Sequence, residues 1–549
     1  MNMEKDSTKE LFNIGKSGFA GCLILTLLRT ISVYFYNIND LPSTPVKVFL
    51  LLAFHFLLAF IVLYSVFVVT KYVLDNINFR SDADKKSGNI FWPSFIILLI
   101  LWLPYLIIKY PGALNWDSWA MFDEYLSGTI SNYQSVTYAY LFGWLFELFA
   151  RLGNVNLSLF VLAGTHYILY AAVFAYSFVV LRKLRVPKWY LYVTWGIYAF
   201  NPLITGYIGV AIKDCVYAVF LFASFLILVE MYIEKTDRFP VKKLVILALS
   251  IILACLVRKN GIYVYAGVVL AMFLSSLSKK KPTLKVRANA RIAVSAGLIL
   301  YLVIYMLIQT VVRPVPDNTT EMYSLPFQQT ARYVRDHGDE LTPEQIKIID
   351  DVLEYDTLAQ RYDPMISDPV KERSNGSITV TGPYFNLWFN LFFKHPLTYF
   401  GATGEQNYYL LSPEAEVNDV TYFINAHEFY QHATYYPIPA YDYLYAASQA
   451  RIGLQYSLFN YNRTVQFIPF LNVFWNGSYA FYILAVITCF FISRKKDAGI
   501  LAIFWMTIVF VLVGPVIYGH PRYLFPIIYS LPVLFAYFYN VCRKESDIT

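Results

Sequence analysis

Charged side chains stand at the ends of strongly apolar runs in four separate segments: Asp117 with Asp123 and Glu124, Lys213 with Asp214, Arg258 with Lys259, and His520 with Arg522. Charge is costly in the apolar depth of a membrane, so such residues default to functional hypotheses. Taken singly, each reads equally well as a charge that snorkels to the interface or pairs with a neighbour. As a set they aim charge at one cavity. Carboxylates beside fixed cations suit transfer from an anionic, lipid-linked donor. A carboxylate accepts the proton of an acceptor hydroxyl, and Arg or Lys neutralises a departing phosphate. Asp117 is the candidate base. Glu124, seven residues on, shares a helical face with it and is the understudy, while Asp123 is rotated away. Asp214 is the second carboxylate, to orient an acceptor or a divalent metal, and Lys213, Arg258 and Arg522 are the candidate phosphate-binding cations. Lys259, His520, Gln328, Gln329 and Arg332 are supporting candidates.

Other constellations are weaker. No Walker A loop or dinucleotide GxGxxG fingerprint occurs, so the energy for a transfer must arrive in the substrate itself. His427 and His432 flank Glu428, but their spacing of five sets the imidazoles about 140° apart on a helix, which discounts a zinc-protease site. Trp116, Trp119, Tyr408 and Tyr409 could stack on a sugar, although interfacial aromatic belts explain most of the aromatic content. The five cysteines, Cys22, Cys215, Cys255, Cys489 and Cys542, all lie in or at apolar runs, so no disulfide framework is available to the polar segment. Nothing suggests a nucleic-acid partner.

The elements that must position these residues are membrane helices. Of 549 residues 57% are hydrophobic and only 15% charged, against about 25% charged in a soluble domain. Uncharged runs such as Phe91–Ile108, Leu157–Leu181 and Leu244–Val257 need lipid around them. Twelve spans are expected, near 12–36, 46–74, 91–109, 157–182, 189–208, 214–234, 242–257, 261–277, 290–312, 468–492, 498–518 and 522–541. Basic clusters mark the cytoplasmic side. They fall at Arg80–Lys86, Arg182–Lys188, Lys235–Lys243, Lys279–Arg291, Arg494–Lys496 and Arg543–Lys544. All of them face inward only if the run 134–152 lies in the outer leaflet as an interfacial helix. Both termini are then cytoplasmic.

The expected class is therefore an all-α polytopic membrane protein with a large, mainly helical extracytoplasmic domain. Residues 1–90 hold two helices and a cytoplasmic loop. Residues 91–312 form a transmembrane core with an outer loop at 110–156, residues 313–467 the outer domain, and residues 468–549 the last helices. Within the outer domain, Thr342-Pro343-Glu344 opens a helix that runs to Leu353, and Tyr384–Phe393 is an aromatic amphipathic stretch.

The order of motifs resembles the GT-C superfamily of integral-membrane glycosyltransferases. An outer loop, Tyr110-Pro111-Gly112-Ala113-Leu114-Asn115-Trp116-Asp117, is followed by the interfacial helix, Asn201-Pro202, Lys213-Asp214, the Arg258-Lys259-Asn260-Gly261 turn and the Gly519-His520-Pro521-Arg522-Tyr523 turn. The segment Leu325–Tyr333 makes the chain most similar to a domain-of-unknown-function family of Gram-positive bacterial membrane proteins. The resemblance implies a polyprenyl-phosphate-linked sugar donor, inverting transfer to an envelope glycan, lipid or protein acceptor outside the cytoplasm, and Asp117 as base. It implies a bacterial plasma membrane. Related mannosyl- and aminoarabinosyltransferases carry His-Pro-Pro before the interfacial helix, where this chain reads Ser135-Val136-Thr137, so the sugar and acceptor do not carry over. Two other classes stay open: a lipid or solute transporter or flippase, whose related halves are not evident, and a non-catalytic envelope-assembly scaffold.

Overall fold

The computed structural model describes residues 13–544 except 39, 43, 82–88, 115, 133–134, 153–154, 235–239, 278–283, 317–318, 373–377, 416–423, 426–452, 455–456, 459, 462–463, 466, 474–475 and 515–516. Apolar runs form helices because only a helix satisfies every backbone polar group within one apolar segment. In chain order these are α1 (Gly15–Tyr36), α2 (Pro45–Asn76), α3 (Phe91–Ile108), α4 (Trp116–Ser127), α5 (Val136–Arg151) and α6 (Val155–Lys183). They continue with α7 (Lys188–Phe200), α8 (Pro202–Thr205), α9 (Lys213–Glu234), α10 (Val241–Val257), α11 (Gly261–Leu277) and α12 (Leu284–Val312). Seven described helices are long and apolar enough to cross a membrane: α1, α2, α3, α6, α9, α12 and the last helix, Phe525–Cys542 with its preceding turn. The chain is a helical membrane protein.

Burial sorts these helices. Most of α9 is buried, and it packs against α6, α10 and the last helix. The long helix α2 shows apolar side chains to the outside along its length, Val46, Phe49, Leu57 and Ile61 among them. That is a surface for lipid. The C-terminal end of α9 is fastened by charge: Lys243 Nζ lies 2.6 Å from Glu230 Oε1 and Lys183 Nζ 2.5 Å from Glu234 Oε1. Sixteen residues, about 24 Å of helix, separate Glu230 from Asp214 at the other end. Lys183 and Lys243, from two of the basic clusters, therefore meet at the end of α9 opposite the acidic candidates.

Some helices are shorter than the apolar pattern suggests. The run 189–208 is not one helix: α7 stops at Phe200, and Asn201 Oδ1 accepts from Leu203 N at 2.9 Å to start the short α8. Pro202 has no N–H to continue the α7 ladder, so the chain breaks there. The run 468–492 likewise divides, into a short helix at Pro469–Asn472 and a long one that starts at Gly477, where the Asn476 side chain caps Ser478 N. The run 498–518 is helical over Ala502–Val513 and ends at Gly514. Helix α5 has 16 residues, about 24 Å of rise against a hydrocarbon core of about 30 Å. It buries Tyr138, Phe142 and Phe146 and exposes Leu141, Trp144 and Leu148.

The polar segment has its own core, in which Phe327, Tyr333, Ile349, Leu353, Leu358, Tyr384 and Tyr399 are buried. Its helices are α13 (Ser324–His337), α14 (Pro343–Leu353), α15 (Tyr355–Arg361), α16 (Asp368–Lys371), α17 (Gly382–Lys394) and α18 (Pro396–Asn407). The helix expected after Thr342 is present with a full capping box between Thr342 and Gln345. The remaining described helices are α19 (Pro469–Asn472), α20 (Gly477–Ser493), α21 (Ala502–Val513) and α22 (Phe525–Cys542). A Cβ on Gly21 would stand 2.4 Å from Cys489 Sγ, so only glycine lets α1 approach α20 this closely.

Candidate functional site

Two loops are stitched together by their backbones. Ala113 N donates to Gly209 O at 3.0 Å, and Ala211 N donates to Ala113 O at 2.9 Å. The stitch brings the starts of α4 and α9 together. Asp117 lies in the first turn of α4 and Asp214 in the first turn of α9, where the helix dipole favours an anion. Arg258 is the C-cap of α10, the end that favours a cation. Arg522 sits in the 3-10 turn Pro521–Leu524 that leads into α22.

The four charges form a relay. Arg522 Nη1 lies 3.1 Å from Asp117 Oδ2, and its Nε lies 3.4 Å from Asp214 Oδ2. Arg258 Nη1 lies 2.7 Å from Asp214 Oδ1. Exposure separates the two acids: the Asp214 side chain is 3% exposed and that of Asp117 27%. Asp117 is the carboxylate that an incoming molecule can reach. Asp214 has a guanidinium on each oxygen, so it serves as the counter-ion that orients both arginines, and a metal there would have to displace one of them. Tyr523 lies between the two cations, its ring centroid 5.6 Å from Arg258 Cζ and 5.4 Å from Arg522 Cζ.

Lys213 lies within electrostatic reach of Asp117, Asp214, Arg258 and Arg522. His520 is buried, and burial first and the Arg522 charge second push its pKa down to about 3. It is neutral at ordinary pH. Three cations against two carboxylates leave one positive charge in excess, beside the N-termini of α4 and α9. That combination suits an anion. Gly519, at φ +73°, makes the turn that places His520 and Arg522.

The other supporting candidates hold structure around the relay. Gln328 Nε2 donates to Asp363 O and Ile366 O, both at 2.9 Å. That turn in turn meets the residue before Gly519, where Tyr518 N donates to Met365 O at 2.8 Å. Gln328 therefore reaches the site only through two layers of backbone. Gln329 bonds Thr403 Oγ1 at 3.0 Å, and Arg332 Nη1 lies 2.6 Å from Glu405 Oε1, both inside the polar domain. Glu124 accepts from the Ser131 hydroxyl, and Lys259 donates to the Asn132 carbonyl, so both brace the 128–132 loop. Tyr409 is buried, its ring 5.2 Å from that of Tyr518. The side chains of Trp116, Trp119 and Asp123, and residues His427, Glu428 and His432, lie outside the described residues.

Tyr217 and Tyr523 were not singled out by the sequence. Tyr217 follows Asp214 by three, one helical turn, and its ring centroid lies 5.8 Å from Arg258 Cζ. That spacing was the available signal.

Residues 127–548 match the model of a family of unknown function (DUF6020), and the chain belongs to that family. The matched segment takes in Asp214, Arg258 and Arg522 and begins ten residues after Asp117. No curated protein and no solved structure matches the chain.

Proposed function

We propose that this family member is a GT-C-type membrane glycosyltransferase that moves a sugar from a polyprenyl-phosphate donor to an envelope acceptor outside a bacterial plasma membrane. In this reading twelve segments span the bilayer, α5 lies in the outer leaflet, both termini are cytoplasmic and residues 313–467 are outside. The observation that carries it is the relay Asp117–Arg522–Asp214–Arg258, with one acid reachable and an excess of cationic charge at helix ends.

The donor phosphate takes the face of Arg522 that otherwise pairs with Asp117, which releases Asp117 to act as base. The acceptor hydroxyl oxygen then attacks the anomeric carbon from the side opposite the phosphate. Its proton goes to Asp117, the carbon–oxygen bond to the phosphate breaks, and the electron pair leaves on the phosphate oxygen. Arg522, Arg258 and Lys213 neutralise that charge as it grows. Asp214 remains ionised throughout and keeps the guanidinium groups aimed. Native mass spectrometry of the detergent-solubilised protein with polyprenyl phosphate tests the donor side. Arg522→Ala and Arg258→Ala should each weaken binding by tenfold or more, and unchanged binding in both would remove the phosphate site.

A further inference from the structure

Away from the relay, on the polar domain, two imidazoles and a carboxylate meet. His337 ends α13, Glu340 lies in the turn after it, and His395 joins α17 to α18. His337 Nδ1 stands 3.0 Å from Glu340 Oε1, and His395 Nε2 stands 3.0 Å from Glu340 Oε2. The two rings are stacked, with centroids 3.7 Å apart and planes 13° from parallel. One candidate ligand atom from each residue lies within 4.8 Å of the others. We infer that His337, Glu340 and His395 form a binding site for a zinc-like divalent cation, which clasps the C-terminus of α13 to the α17–α18 junction.

The donor chemistry fits. Two imidazole nitrogens and one carboxylate oxygen are a common zinc set that leaves a further position for water. Zinc bonds of about 2.0–2.1 Å in tetrahedral array put ligand atoms roughly 3.3 Å apart. The two His–Glu separations are already near that value, and sharing one metal asks the stacked rings to turn until both lone pairs converge on it. A second contact gives the other nitrogen a partner: His337 Nε2 lies 3.0 Å from Thr398 Oγ1, a hydroxyl able to accept its proton. With its proton on Nε2 toward Thr398, His337 turns the Nδ1 lone pair toward Glu340, as metal-bound histidines usually do. A lone pair facing a carboxylate oxygen needs a positive centre nearby, either a proton or a metal. Without a metal, a proton on each nitrogen that faces Glu340 fills that role, and Lys394 Nζ, 2.7 Å from Glu340 Oε2, supplies the positive charge. A single divalent cation bound by both nitrogens and the carboxylate would take the place of those protons and of the ammonium. Lys394 is the competitor, and its side chain is 48% exposed, free to swing into solvent.

The test uses the full-length protein in detergent, stripped with chelator and titrated with zinc sulfate alone, read by calorimetry and by thermal unfolding. One zinc per chain should bind and raise the unfolding temperature. His395→Asn should lose that binding by a hundredfold or more. Lys394→Met keeps all three ligands and removes the competing ammonium, so it should bind zinc several-fold more tightly. Asp117→Asn should leave the titration unchanged. Absence of saturable zinc binding in both the wild type and Lys394→Met would overturn the inference. So would equal binding in His395→Asn, or loss of the zinc titration in Asp117→Asn.

Discussion

Arg522 Nη1 sits 3.1 Å from Asp117 Oδ2, a contact that joins the turn before the last helix to the first turn of α4 across 405 positions. The same guanidinium turns its Nε toward Asp214. One side chain thus ties a reachable acid to a buried one. Removing it changes both how the site is charged and how the N-terminal ends of α4, α9 and α22 are held together.

The buried acid should matter for folding. Asp214→Asn keeps the shape and leaves two guanidinium groups without their shared counter-ion. Breaking one side of a buried ion pair costs about 3–5 kcal/mol. Thermal unfolding in detergent should show a large loss for Asp214→Asn and a much smaller one for the more exposed Asp117→Asn. Equal losses would contradict the division of roles.

Arg522→Lys separates geometry from charge. A guanidinium contacts two carboxylates from different edges, whereas an ammonium is a single point charge. The lysine variant should therefore keep the charge yet lose donor binding by about tenfold or more, an order set by one lost charge-assisted bond of about 1.5–3 kcal/mol. Full rescue by lysine, measured by polyprenyl phosphate binding, would show that only net charge is needed.

His520 gives a pH signature. Burial holds its folded pKa at about 3, against about 6.5 in an unfolded chain. Between these values the unfolded chain binds the extra proton, so stability rises with pH across that window. It is complete above about pH 6.5 and is lost progressively as pH falls toward 3. His520→Asn should flatten the stability profile in this range, measured by unfolding temperature at stepped pH. An unchanged slope would show that His520 is not the group responsible.

The topology has its own check. Single cysteines placed at Lys183 and at Asp350 can be probed with a membrane-impermeant thiol reagent. In intact cells the Asp350 position should label and the Lys183 position should not. Labelling at Lys183 would make 134–152 a full span and put the basic clusters outside.

Much of the helical layout is written in the apolar pattern, because an uncharged run of this length has no stable state but a helix in lipid. The helices at 15–36, 91–108, 155–183 and 213–234 lie close to where the pattern puts them. The relay was legible for the same reason: Asp117, Lys213, Asp214, Arg258 and Arg522 are conspicuous as charges at apolar ends. Hydropathy says nothing of a single missing N–H, so the break at Pro202 was hidden inside an apolar run. Nor does it say which way a polar side chain turns. Gln328 and Arg332 looked like cavity candidates, yet their partners Asp363 and Glu405 lie 35 and 73 positions away, contacts that only tertiary packing creates. The meeting of His337 with His395 is of the same kind.

The central claim is that the reachable acid removes a proton from an acceptor that takes a sugar from a polyprenyl-phosphate donor. Lipid-linked sugars should be extracted and measured in cells lacking the protein, and in such cells supplied with wild type or with Asp117→Asn. General-base assistance contributes about 10²–10⁴ in rate, so the variant should be inserted normally yet behave almost as the deletion. A polyprenyl-phosphate sugar should accumulate without the protein, disappear with the wild type and persist with Asp117→Asn. No accumulation in the deletion, or clearance by Asp117→Asn as complete as by wild type, would contradict it.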